Sequence, residues 1–163
     1  MRRRYWSTII LLALNVLCIF AVDISTIKYR VGKGTSGNGN PGIVVLILSL
    51  ILFAIFLIHL VVKSIEYLRK LPPTITTMVI PSLAIVTLVL MIFGELNTIS
   101  ALEQNLNGFT NEKDSVVFRF GWINQYTNTL FYNGYILMFG ISIAMLLSCL
   151  IVRMQSKPFI VNE

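Results

Sequence analysis

Residues 43–62 read IVVLILSLILFAIFLIHLVV, and this stretch decides the class of fold. It contains no Asp, Glu, Lys or Arg, and its only polar side chains are Ser49 and His59. Such a run matches the ~20 apolar residues, at ~1.5 Å rise each, that a ~30 Å hydrocarbon core requires. Backbone amides find no water there, so the segment must satisfy them internally by winding into a helix. Three further runs have the same character, at 6–22, 74–93 and 130–152. The expectation is an all-α integral membrane protein, a four-transmembrane-helix bundle forming a single domain over 1–163. Its outer loops would be 23–42 and 97–129, and its inner loop 63–73.

The composition agrees. Of 163 residues, 56% are hydrophobic and only 12% charged, too few charges to cover a soluble domain of this size. The four runs leave no room for a separate soluble enzyme domain, and no internal repeat is visible. With the N-terminus placed inside, the inner segments carry eight basic residues (Arg2, Arg3, Arg4, Lys63, Arg69, Lys70, Arg153 and Lys157) against two acids. The outer loops carry five basic and five acidic residues. This bias, strongest at Arg2–Arg4, puts both termini in the cytoplasm. The net charge of +6 then lies against anionic lipid headgroups, the expected partner of the inner face, and nucleic acid is not expected. Basic residues before an apolar run also describe a signal peptide, but the small-x-small cleavage pattern is missing, so a retained first span is expected. The outer loops lack any Asn-x-Ser/Thr sequon, which fits a bacterial plasma membrane.

Within the runs, the clearest packing signal is Gly140, Ala144 and Ser148, small residues at helical spacing that let another helix approach closely. The expected partner is the first or third helix of this chain, or another protein. Pro81 interrupts the third run. It removes a backbone donor to the carbonyl of Thr77 and predicts a kink, with the Thr77 or Ser82 hydroxyl helping to satisfy the freed groups. Cys18 and Cys149 differ in depth by ~15 Å at the helical rise, beyond the ~7 Å Cα separation that a disulfide tolerates. The helix from Ile43 is expected to continue past the membrane to Leu71, with Glu66 and Lys70 in the favourable i,i+4 order, until Pro72-Pro73 stops it.

Two outer segments alternate as strands do. Ile27, Tyr29 and Val31 oppose Lys28 and Arg30; Val116, Phe118, Phe120 and Trp122 oppose Val117, Arg119 and Gly121. One expectation is a small external β-element pairing these two segments above the helix ends. The other is that Phe118, Phe120 and Trp122 dip into the membrane interface, where aromatic side chains are favoured. Ile99–Leu106 reads as a separate short amphipathic helix before the turn at Asn107-Gly108.

Candidate chemistry is sparse. The charged residues closest to the runs, Asp23, Glu95 and Lys63, all fall at or beyond the boundaries, and the middle of the bundle offers only Asn15, Thr87 and Ser142. This argues against an ion-coupled transporter, which places ionisable groups mid-bilayer. Asp23 and Glu95 share the outer rim, where they either fasten the loops through ion pairs to Lys28, Arg30 or Arg119, or form a site for a cation or peptide. His59 is the lone histidine, too isolated for a structural zinc site or a Ser-His-acid triad. Gly32-Lys33-Gly34-Thr35-Ser36 departs from the spacing of a phosphate-binding loop, and GxSxG, HExxH and CxxC are absent. No enzyme activity, cofactor or metal is expected. The chain reads as a non-enzymatic accessory, regulatory or immunity-type membrane protein acting through contacts with a protein partner or a second copy. The partner contact would fall on Phe118, Phe120 and Trp122. The alternative is a small channel, a holin-like pore or a transporter component, with Pro81 as flexible point and Asp23/Glu95 as mouth.

Overall fold

The computed structural model describes residues 6–29, 39–108 and 112–155. In chain order these form α1 (Trp6–Ser25), α2 (Ile43–Leu68), a π-helical turn (Ile75–Val79) continuous with α3 (Ile80–Asn105), two short helices α4 (Val116–Phe120) and α5 (Asn128–Phe131), and α6 (Gly134–Gln155). Four stretches, Trp6–Ser25, Ile43–Leu68, Ile75–Asn105 and Asn128–Gln155, are long and apolar enough to cross a membrane. Their outward faces are predominantly apolar, with Leu17, Ile58, Leu83, Leu90 and Leu150 all exposed. A soluble monomer rarely leaves contiguous apolar surface on this scale uncovered.

α6 occupies the centre. It packs against α3 on one side and α2 on the other, while α1 packs on α2; α1 and α3 scarcely touch. Both close contacts of α6 use the same device, an aromatic ring laid over a glycine. Phe53 of α2 covers Gly140 of α6, and Tyr135 of α6 covers Gly94 of α3, so tightly that a Cβ at either glycine would overlap the ring. Ala144 and Ser148 continue the buried face of Gly140. The Ser148 hydroxyl bonds its own-helix carbonyl of Ala144 at 2.7 Å and leans 3.4 Å from the carbonyl of Val61 in α2. The small-residue stripe therefore meets the second long helix of the chain, and not the first or third helix or another protein as expected. The reason is topological: α6 lies between α2 and α3, and its α3-facing contact relies on Gly94 instead.

The third long helix departs from expectation at both ends. Ahead of Pro81, the backbone widens into the π turn, with the Ile80 N–H bonded to the carbonyl of Ile75, five residues back. Winding one turn more loosely accommodates the missing proline donor inside a continuous helix. The Thr76 and Thr77 hydroxyls bond the carbonyl of Pro73 at 3.0 and 2.8 Å, so neither serves the groups freed at Pro81 in the way the sequence suggests. At the other end the helix runs unbroken through Gly94-Glu95 to Asn105, so the supposed separate helix of 99–106 is its final turns. Its 31 residues from Ile75 span ~46 Å, well beyond a ~30 Å core. α2 ends at Leu68, slightly short of Leu71, and Glu66 accepts from Lys63 at 3.2 Å.

No strand occurs among the described residues. Residues 26–29 are irregular, Arg30 and Val31 lie outside the described residues, and 116–120 form a single helical turn. Ser115 starts that turn by accepting the Phe118 N–H at 3.0 Å, and Gly121, at φ +76°, ends it. Val116 and Val117 are adjacent and both buried, which a strand cannot achieve because neighbouring side chains point to opposite faces. The two outer segments do meet, however. The Ile27 N–H bonds the carbonyl of Gln125 at 2.8 Å, and Tyr29 stands edge-on to Tyr126 with ring centroids 5.7 Å apart.

Candidate functional site

The polar groups gather at the end of the bundle where α1 finishes and α6 begins, and they are built around a break in the fourth long helix. After α5, Tyr132 adopts an extended conformation, φ −154° and ψ +108°. The next residue, Asn133, restarts the helix as its N-cap, its side-chain oxygen accepting the N–H groups of Tyr135 at 2.8 Å and Ile136 at 3.1 Å. The break turns Tyr132 inward. Its ring lies 5.5 Å from that of Phe53 in a cluster with Val22 and Leu46, and its hydroxyl donates to the side-chain oxygen of Asn15 at 2.5 Å. Both residues are 0% exposed, and Asn15 completes its bonding by donating to the carbonyl of Leu11. This pair joins α1 to the start of α6 across the bundle interior.

Asn133 also donates to Glu95 at 2.8 Å and to the carbonyl of Thr129 at 2.9 Å. Glu95 is thereby held against the head of α6. Asp23 lines a different hollow, a cleft of about 550 Å³ between α1 and α3. The two rim carboxylates thus flank the same helix start without sharing one pocket. Among the described residues no basic side chain forms an ion pair with either of them; Arg119, a sequence-suggested partner, pairs instead with Asp114 at 3.2 Å. Arg30, another, lies outside the described residues.

Above this rim sits a cap. Leu106, Val116, Val117 and Tyr126 form its buried core, with Leu102 and Tyr29 packed against them. The chain from 121 to 128 is cross-braced by its own side chains. Asn124 accepts the Tyr126 N–H at 2.8 Å and donates to the carbonyl of Gly121 at 2.7 Å, while Thr127 donates to the carbonyl of Trp122 and accepts the Asn124 N–H. Asn128 and Asn40 exchange two amide hydrogen bonds of 2.9 and 2.7 Å, tying the cap to the start of α2. On this fixed base Phe118, Phe120, Trp122 and Ile123 project outward, Phe118 being 53% and Trp122 45% exposed. The sequence alternation groups Phe118, Phe120 and Trp122 with Val116; in the structure Val116 belongs to the core, and Ile123 joins the exposed patch.

At the opposite end of the bundle, His59 Nε2 faces two hydroxyls of the first turn of α1, Ser7 at 3.1 Å and Thr8 at 3.2 Å. A histidine bridging two helices in this way acts as a polar clasp. His59→Ala is expected to lower stability by about 1 kcal/mol, the worth of one ordinary hydrogen bond, in thermal unfolding followed by circular dichroism in detergent. A loss several times larger would mean that His59 supports more than those two hydroxyls. Cys18 and Cys149 are free thiols, in the clusters at opposite ends of the bundle. Among the described residues no three His, Cys, Asp or Glu side chains group closely enough to hold a metal ion. Pro81 follows its π turn far from the rim, and Thr87 bonds the carbonyl of Leu83 within its own helix.

The chain has no match among protein-family models, curated proteins or solved structures.

Tyr132, Asn133, Asn40 and Asn128 escape the sequence reading. Only Asn133 left a usable signal: Asn-Gly directly before a long apolar run is a helix-start signature.

Proposed function

We propose that the chain is a non-enzymatic, multi-pass membrane protein that acts through contacts, as an accessory, regulatory or immunity-type protein, with both termini on the cytoplasmic face of a plasma membrane. The observation that carries this reading is the patch of Phe118, Phe120, Trp122 and Ile123, exposed on a cap that has its own buried core and internal hydrogen bonds. A preformed aromatic surface loses little entropy on binding, and large aromatic side chains dominate the energetics of protein interfaces. The length of α3 supports the same reading, because it exceeds a ~30 Å hydrocarbon core and leaves room for the cap to stand outside it. The apolar faces of the four long helices support residence in the bilayer, and the basic residues near the termini and the α2–α3 turn support an inner face against anionic lipid.

The test is affinity purification of the tagged chain from native membranes in mild detergent, beside a variant with Phe118, Phe120 and Trp122 all changed to alanine. The three side chains lie outside the buried core of Leu106, Val116, Val117 and Tyr126, and circular dichroism checks that the variant folds; it is expected to retain about tenfold less partner, or less still. Equal recovery of the same proteins by both forms would remove the patch as the contact surface.

A further inference from the structure

We propose that the cleft between α1 and α3 binds a single-chain amphiphile with a protonated amine head, its chain lying against Phe20, Met91 and Met138 and its head held by Asp23. The proposal rests on the reading of the four long helices as membrane-spanning, and not on the cap contact.

Three observations lead there. First, the space exists for a packing reason. α1 packs on α2, α3 packs on α6, and α1 and α3 scarcely meet, so a hollow of about 550 Å³ remains between them with α6 as its floor. That volume falls within the ~300–1,000 Å³ typical of small-ligand sites.

Second, the lining is sorted by level, and helix direction does the sorting. α1 rises towards the cap, so Ile19 and Phe20 lie below Asp23. α3 also rises, so Met91 lies ~10 Å below Thr98 at the helical rise. α6 descends, so Asn133 lies at the top and Met138 below it. The cleft is accordingly apolar in its lower part and polar at its upper end, which is the profile of an amphiphile and not of a fully apolar or fully polar solute.

Third, the charge at the polar end is negative and specific in kind. Among the described residues Asp23 is the only charged one lining the cleft, and no basic side chain there forms an ion pair with it. Lys28 lines the adjoining hollow of about 370 Å³, which shares Asp23 with the cleft. The neighbouring Thr98 hydroxyl donates to the carbonyl of Gly94, which leaves its oxygen as an acceptor. An ammonium brings three donors and a positive charge to an end that offers a carboxylate and hydroxyl oxygens. A phosphate or carboxylate head would instead face an acid at the boundary of a low-dielectric region, where like charges repel strongly.

The experiment uses the full chain in phosphatidylcholine nanodiscs. The probe is a 12-carbon alkylamine carrying a mid-chain diazirine, compared with the matching alcohol and carboxylic acid, and the labelled positions are mapped by mass spectrometry. The amine is expected to label the segments containing Phe20, Met91 and Met138 with about tenfold higher apparent affinity than the alcohol, the effect of one charge-assisted hydrogen bond. Asp23→Asn is expected to reduce the amine to the level of the alcohol while leaving the alcohol unchanged. Met138→Trp, which fills the apolar part, is expected to remove cleft labelling by both probes, with helix content checked by circular dichroism. Equal labelling by amine and alcohol, an amine preference that survives in Asp23→Asn, or labelling spread over outward residues such as Leu83 and Leu150 would overturn the proposal. The alanine variants of the cap patch leave this cleft intact, so the two readings fail separately.

Discussion

Tyr132→Ala is expected to be the most damaging single substitution in the chain, lowering stability by about 3–5 kcal/mol, as large aromatic truncations in a packed interior do. The side chain is fully buried among Val22, Leu46 and Phe53, in the cluster that joins α1, α2 and the start of α6. Its removal leaves both a cavity and a buried amide oxygen on Asn15 without its donor. The two losses can be separated. Tyr132→Phe keeps the ring and removes only the donor, and is expected to cost about 1–3 kcal/mol for the stranded Asn15 oxygen. Adding Asn15→Leu to Tyr132→Phe replaces both partners with apolar groups and is expected to recover most of that loss. Equilibrium unfolding in mixed micelles provides the readout for all three variants. A Tyr132→Phe protein as stable as the parent would mean that the hydrogen bond contributes nothing and that the pair is held by packing alone.

Gly140→Val should produce the second largest effect, about 1–3 kcal/mol of overpacking. Any Cβ at this position runs into the Phe53 ring and comes within 3.2 Å of Leu57, so relief requires either the Phe53 ring to leave its packing against Tyr132 or α2 and α6 to separate. Gly94→Val offers an instructive contrast. Its overlap is with Tyr135, a half-exposed side chain at the edge of the bundle that has room to swing outward. The expected loss is therefore smaller than at Gly140, although the overlap is at least as close. Phe53→Ala should cost less in the Gly140→Val background than in the parent, because there it also removes the obstructing ring, and a double-mutant cycle measures that coupling. Additive losses for Phe53→Ala and Gly140→Val would contradict the contact as described.

The four long helices were legible because their apolar runs are long and their charges fall outside them; a helix that must satisfy its own backbone leaves little else for such a run to form. The small-residue stripe was legible as a packing face, but not its partner. Spacing along one helix carries no information about which neighbour fills it, and the α2 side was settled by the position of Phe53. The third helix outruns its apolar run of 74–93 because Gly94 and Glu95 interrupt the apolar pattern without ending the helix. In the fold Gly94 provides the seat for Tyr135, and Asn133 holds Glu95, so both belong to a helix interior. The strand expectation failed for a local reason. A two-residue alternation over 116–122 is outweighed by a cap at Ser115 and a stop at Gly121, which together permit one helical turn and bury Val116 with Val117. Of the candidate site residues, Phe118, Phe120 and Trp122 are exposed together, and Asp23 and Glu95 flank one helix start. The residues that organise that start, Tyr132 and Asn133, were hidden by their neighbours, since one extended residue inside an apolar run leaves no periodic trace.

The most direct test of the account is photo-cross-linking in native membranes from position 122, with Trp122 replaced by benzoylphenylalanine. The account predicts one dominant protein adduct of defined mass, lost when Phe118 and Phe120 are changed to alanine. Adducts to lipid alone would place the aromatic patch in the membrane interface and contradict a function exercised through the cap.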